Sequence, residues 1–184
     1  MLADITKYLA AVDQEVNQFN AVCVKGCCAC CFHPIYAFKT ERKLIENYIK
    51  QMGTNQLNTI RNNCINWLEK SKKSKLIPDS KYITAIDLAQ LNKKYIRSNI
   101  KCPFLMNSEC SIYEVRPLVC RTYFATSERT DCRFGNVEQI CDAYRLNKLA
   151  EFARVELKAN PQKNHETLLP MGFAEFAQSC LLER

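Results

Sequence analysis

The chain has 184 residues, of which 47% are hydrophobic, enough for one domain with a core of its own. Four glycines and six prolines exclude a strand-and-turn architecture, and no apolar run approaches the ~20 residues that span a bilayer. A net charge of +7 tolerates an anionic partner such as nucleic acid, an acidic peptide or a reduced cluster, and selects none of them.

Residues 2–20 read as an amphipathic helix, with Ile5, Tyr8, Leu9, Val12, Val16 and Phe19 recurring at three- and four-residue spacing. A cysteine knot at 23–31 must be irregular, because several sulfurs have to converge, and Pro34 blocks helical continuation. Thr40 is the expected N-cap of a second helix, with Glu41 in the first turn, a stripe of Leu44, Ile45, Tyr48, Ile49 and Met52, and Gly53 as its end. A third helix is expected at about 55–73 through Leu57, Ile60, Cys64, Trp67 and Leu68. The run KSKKSK at 70–75 reads as a solvated basic end rather than a nucleic-acid patch.

Pro78 with Asp79 or Ser80 opens a fourth helix, whose face is Tyr82, Ile83, Ile86, Leu88, Leu91 and Tyr95 and which ends near Asn99. Residues 101–135 carry a second cysteine group in short turns. A long helix over about 137–159 follows, with Val137, Ile140, Cys141, Tyr144, Leu149, Phe152 and Val155, and stops at Asn160-Pro161. A short helix over about 172–182 closes the chain. No segment has a convincing strand period, and neither a repeat nor a domain boundary is visible. The expectation is an all-α fold over residues 1–184, in which irregular cysteine loops from two distant segments enclose a metal site.

Twelve cysteines are the anomaly. A secreted disulfide scaffold would use them, but the opening MLADITKYLAAV has an acid at Asp4 and no basic start before a long apolar run, so no signal peptide is read and a cytoplasmic setting is expected. Five cysteines also fall within nine residues (Cys23, Cys27, Cys28, Cys30, Cys31), where disulfides would mispair. Dense cysteines in a reducing compartment more often ligate metal. The second group is Cys102, Cys110 and Cys120, with Cys132 and Cys141 downstream.

Thiolates are soft donors that select zinc, copper(I) or iron–sulfur units. A four-thiolate zinc site usually shows two short C-x2-C pairs, whereas these groups are denser and uneven. Adjacent Cys30 and Cys31 suit different irons better than one zinc, so a 4Fe–4S cluster is the expected cofactor, with zinc as the alternative. Eight or more candidate ligands would hold two such clusters, or one cluster and a second site. Cys64 and Cys180 lie among apolar neighbours at helical spacing and read as core. Cys141 sits on a face that borders either the core or the cluster. Cys28 is a spare thiol, a resolving thiol or a ligand. His33, two residues beyond the knot, is a candidate for a ligand or a hydrogen-bond donor to a cluster sulfur, and His165 reads as a surface residue.

Three tempting motifs fail on context. Cys23-x3-Cys27-x2-Cys30 has the spacing of radical enzymes that use S-adenosylmethionine, but their alternating strands and helices are missing. The pairs Cys27/Cys30 and Cys28/Cys31 lack the βαβ setting of a thioredoxin-type motif. No G-x-G-x-x-G points to a dinucleotide.

The two cysteine groups together resemble the CxxCxxCC cysteine-cluster family, named for zinc or iron chelation. Cys27-x2-Cys30-Cys31, with Cys23 upstream, is similar to its first hallmark. Cys102-Pro103-Phe104-Leu105, Cys110-Ser111-Ile112-Tyr113-Glu114, Arg116-Pro117 and Cys120-Arg121 are similar to its second, and Cys28 departs from the pattern. The resemblance covers residues 20–135 and implies metal chelation by these cysteines. Pro103 and Pro117 then stiffen turns beside ligands, with Pro117 in the first turn of a short helix carrying Cys120. Arg116 and Arg121 flank that ligand. They either compensate the negative charge of a thiolate-bound cluster or form surface ion pairs with Glu114 or Glu128. Phe104, Ile112, Tyr113 and Phe124 pack around the site or simply fill the core.

Three readings compete. In the first, Cys23, Cys27, Cys30, Cys31, Cys102, Cys110, Cys120 and Cys132, with Cys141 as a further candidate, hold iron–sulfur for redox chemistry or for modifying a peptide or small molecule. In the second, zinc stabilises a structural or interaction module. In the third, an iron with an open position makes the chain an enzyme or the metal subunit of one, with His33, Arg121 and Tyr123 lining a pocket. The partner is expected to be a peptide, protein or small molecule, not a membrane or nucleic acid.

Overall fold

The computed structural model describes residues 2–23, 25–34, 36–76, 85–126, 139–159 and 171–172. The fold is mostly helical. Its helices are α1 (Leu2–Asn17), α2 (Lys39–Ile49), α3 (Thr54–Lys73), α4 (Ala85–Ser98), the short α5 (Leu118–Thr122) and α6 (Gln139–Ala159). Single 3-10 turns occupy Ala29–Phe32 and Tyr113–Val115. Among the described residues, no helix is long and apolar enough to cross a membrane.

The apolar periodicities become two cores. In the first, Ile45 and Ile49 of α2, Ile60, Cys64, Trp67 and Leu68 of α3, and Tyr95 of α4 pack with Ile100, Phe104 and Ile112. The buried Trp67 Nε1–H donates to the Tyr95 hydroxyl at 2.6 Å, which satisfies the one polar atom of the indole. In the second, Ile5, Leu9, Val12 and Val16 of α1 pack with Phe38, Leu118 of α5, Phe124 and Phe152 of α6. Cys31 and Cys102 belong to the first core, whereas Cys120 rides on α5, which is built into the second. The two cysteine groups therefore meet along the seam between the cores.

Several boundaries differ from expectation. The first helix stops at Asn17, and Gln18–Asn20 form a turn that ends with Asn20 in the left-handed region at φ 53°. Phe38, not Thr40, occupies the N-cap of α2, and Thr40 is buried within the helix. The reason is Glu41: at the third helical position its Oε2 accepts the Phe38 N–H at 2.8 Å, so the chain enters the helix two residues earlier. Gly53 does not end α2. Its φ of −62° and ψ of 150° make it the N-cap of α3. Pro117 likewise stands at the N-cap of α5 rather than inside its first turn. Asn99 does follow α4 with a positive φ of 56°.

Two pairs of two-residue strands appear where no strand was expected. β1 (Tyr36–Ala37) pairs antiparallel with β4 (Met171–Gly172), and β2 (Leu105–Met106) with β3 (Glu109–Cys110). Gly172 thus lies in a strand rather than at the start of the expected last helix, whose other residues lie outside those described. The same is true of the expected start of the fourth helix at Pro78–Ile83 and of residues 137–138 of the long one. Val155 on α6, expected in the core, is 37% exposed.

Two interactions tie the helices together. Glu41, 1% exposed, accepts the Leu118 N–H on Oε1 at 2.6 Å as well as the Phe38 N–H, so one carboxylate serves the N-termini of both α2 and α5. On the far side, Lys148 of α6 pairs with Glu15 of α1 at 2.7 Å, and the Tyr144 hydroxyl donates to the same carboxylate at 3.0 Å. The hydrogen bond from Lys148 holds the Glu15 carboxyl below the usual range.

Glu41→Gln preserves size but turns an amide N–H2 toward one of the two backbone donors. It should cost about 1–3 kcal/mol in denaturant unfolding, the penalty for a buried donor left unsatisfied. Glu15→Gln should cost only about 0.5 kcal/mol, because the pair is partly exposed. A carboxyl lowered in the folded state contributes above its unfolded value of about 4.3 and loses that contribution as pH falls through its folded value. The stability gap between wild type and Glu15→Gln should therefore be full at pH 7 and vanish in acid.

Candidate metal centre

The first cysteine group is shaped by a left-handed residue and a 3-10 turn. Gly26 takes φ +92°, a conformation that side chains rarely adopt, so the backbone reverses just before the dense sulfurs. The turn Ala29–Phe32 then carries Cys30 and Cys31, closed by the Cys31 N–H on the Cys28 carbonyl and the His33 N–H on the Cys30 carbonyl, each at 3.0 Å.

The second group is shaped by a hairpin. Asn107 and Ser108 take φ of 50° and 64°, the paired left-handed conformations of a tight two-residue turn, so Leu105 lies opposite Cys110. Ser111 locks the hairpin with its N–H (2.9 Å) and hydroxyl (3.0 Å), both donated to the Phe104 carbonyl. Asn63 of α3 donates to the Pro103 carbonyl at 3.0 Å and anchors the Cys102 turn to the first core. Cys120 is set by α5, with its N–H on the Pro117 carbonyl at 2.9 Å.

Backbone hydrogen bonds join the groups at both ends. The Cys102 N–H donates to the Cys31 carbonyl at 2.7 Å, and the Val22 N–H to the Ala125 carbonyl at 2.9 Å. None of the nine cysteines whose side chains are described is in a disulfide. Cys30 is an electrostatic hub: its charge acts on Cys31, Cys102, Cys110 and Cys120, and that of Cys23 acts on it. Among the described residues, the sulfurs do not already close in threes around one point as the ligands of a single ion would.

The electrostatics follow from burial. The Cys31 thiol hydrogen-bonds to Cys30, which holds Cys30 below the ordinary thiol value and pushes Cys31 above it. Removal from water pushes up Cys102, Cys110 and Cys120. Opposing this, the backbone N–H groups of Phe104 and Leu105 favour the Cys102 thiolate, and that of Ile112 the Cys110 thiolate. The Arg116 charge favours the thiolate at Cys30, Cys110 and Cys120.

Both arginines are anchored by a residue that sequence reasoning missed. Asp13 of α1 receives Arg116 Nη2 on Oδ1 at 2.9 Å and Arg121 Nη1 on Oδ2. Arg116 Nη1 also donates to the Tyr113 carbonyl at 3.0 Å, and the guanidinium stacks 3.9 Å from the centre of the Tyr113 ring. Arg121 is buried and donates to the carbonyls of Arg116 (2.9 Å) and Glu114 (2.7 Å). The arginines thus take a helix carboxylate rather than that of Glu114. No local spacing could have revealed this pairing across more than a hundred residues.

The remaining candidates are placed as follows. His33 stacks on Tyr123 at 4.9 Å between ring centres, and Arg145 of α6 lies 5.0 Å over the same ring, so His33 and Tyr123 adjoin each other as expected while Arg121 turns toward α1. Cys27 is half-buried, and half-buried Cys28 packs against the first core. Cys64 is fully buried among the residues of the first core, in keeping with a packing role. Phe104, Ile112 and Phe124 are buried as expected. Cys132, Cys180 and His165 lie outside the described residues, as does the side chain of Cys141 on α6.

The donor chemistry fits a thiophilic centre: sulfur from separate segments, backbone that favours the thiolate at Cys102 and Cys110, and a guanidinium whose charge does the same. No curated protein and no solved structure matches the chain. Residues 22–166 match the model of one family, CxxCxxCC, whose description reads "Putative zinc- or iron-chelating domain". That match spans both cysteine groups and well over half of the sequence, and the chain therefore belongs to the CxxCxxCC family.

Proposed function

We propose that the protein is an iron–sulfur protein whose centre is held by Cys23, Cys27, Cys30, Cys31, Cys102, Cys110 and Cys120, with Cys132 and Cys141 as further ligands, and that it serves redox chemistry. The observation that carries this reading is the number and spread of the sulfurs. Cys30 lies within electrostatic reach of Cys23, Cys31, Cys102, Cys110 and Cys120, which makes six sulfurs drawn from both cysteine groups, more than the four that one zinc ion takes. A cluster distributes its ligands over several irons and accepts such a spread. When bound, it would supply one-electron transfer.

The protein's own groups suit that role. The backbone at Phe104 and Leu105 favours the Cys102 thiolate and that at Ile112 the Cys110 thiolate, and polar groups beside the sulfurs tune the potential of thiolate-bound iron. Arg116 offsets thiolate charge, while the apolar walls of Phe104 and Ile112 keep water out. His33 and Tyr123, packed against each other next to the Cys30 turn, are the residues we assign to contact with a peptide or small-molecule partner.

Anaerobic purification followed by iron, acid-labile sulfide and zinc determination tests the reading directly. Brown protein with iron and sulfide in matched amounts is expected, and colourless protein with stoichiometric zinc and no sulfide would establish the zinc-stabilised module instead. Single substitutions separate ligands from core. Cys102→Ser and Cys120→Ser should each lose most of the bound metal. Cys64→Ala should keep the wild-type metal content and lower stability by about 1 kcal/mol, the scale of one buried group of methylene size.

A further inference from the structure

We propose that Asp13 tunes the thiol centre: its single carboxylate receives both Arg116 and Arg121 and, by offsetting their positive charge, lowers the centre's reduction potential. This rests on the iron–sulfur reading.

The geometry is specific. One carboxylate receives both guanidinium groups, one on each oxygen, from residues that flank Cys120 in the sequence. The side chain of Arg121 is 4% exposed, that of Arg116 18% and that of Asp13 33%, so the guanidiniums are largely shielded while the carboxylate keeps part of its surface in water. Arg116 bears on Cys30, Cys110 and Cys120, which come from both cysteine groups. An exposed arginine could swing into water. This one is confined by Asp13, by the Tyr113 carbonyl and by the Tyr113 ring. Asp13 reaches the site from α1, outside both cysteine groups.

The sign follows from charge. Reduction adds an electron to a centre already negative from its thiolates, so nearby positive charge favours the reduced state and negative charge opposes it. Asp13 cancels part of the charge of the two arginines. Without its charge, both guanidiniums remain tied by backbone carbonyls, Arg116 to Tyr113 and Arg121 to Arg116 and Glu114, and act on the sulfurs unopposed.

The test is a redox titration of the anaerobically purified full chain, with dithionite as reductant and mediator dyes, followed by visible absorption, alongside iron and sulfide determination. Asp13→Asn should keep the iron and sulfide content and shift the reduction equilibrium about tenfold toward the reduced state, about 59 mV upward for one electron. Arg116→Gln should shift it downward, and Asp13→Glu, which keeps the charge, should stay near wild type even where stability falls. Iron-loaded Asp13→Asn with an unchanged or lowered potential would overturn the proposal. If Asp13→Asn does not fold, Arg116→Gln decides, and an unchanged potential there overturns it equally. Absence of iron and sulfide from the wild type would instead refute the iron–sulfur reading, which keeps the two failures apart.

Discussion

A buried carboxylate organises the thiol side of this molecule. Glu41 sits in the first turn of α2 and accepts N–H groups from Phe38 and, 77 residues further on, from Leu118. Those donors belong to the exposed dipole ends of two helices, which favour negative charge and otherwise lack partners. The bond to Leu118 starts α5 at the point where it carries Cys120 toward the sulfurs and Arg121 toward α1. A five-residue helix has little stability of its own, because nucleating a helical turn is costly. Its position is therefore set by the carboxylate at its N-terminus and by Leu118, which is fully buried in the second core.

Gathering sulfurs at a seam between two apolar cores creates an electrostatic problem. Burial favours neutral thiols, yet soft-metal ligation needs thiolates. The structure opposes burial with backbone N–H groups at Cys102 and Cys110, and with the charge of Arg116. Burying Arg121 in turn penalises its own positive charge, and Asp13 counters this. A chain of compensation thus runs from the sulfurs through the arginines to α1, the helix farthest from them in sequence. The arrangement links the cysteine site to the packing of α1 against α5 and α6.

The helices were legible because a 3.6-residue apolar period survives folding: Ile5, Leu9, Val12 and Val16 are buried as expected, as are Ile60, Cys64, Trp67 and Leu68. Their ends were less so. Thr40 has the better capping side chain, but Glu41 captures the Phe38 N–H and moves the start back by two residues. Gly53 reads as a helix stop, yet adopts an extended conformation and begins the next helix. The β2–β3 hairpin escaped detection because two residues per strand cannot display a period, although Asn107 and Ser108 are a recognisable turn pair.

By itself, the sequence determined the helical class, the two cysteine groups and the family, because each is written in residue types at short spacing. It also pointed to Arg116 and Arg121, since they flank Cys120, but not to Asp13, the carboxylate that receives both. Only the tertiary structure decided that the Cys102 turn joins the Cys31 backbone, that Glu41 joins two helix starts, and that Asp13 rather than Glu114 supplies the carboxylate. Such contacts join residues tens to more than a hundred positions apart. They arise from where the packed cores place each helix, and no local pattern encodes that placement.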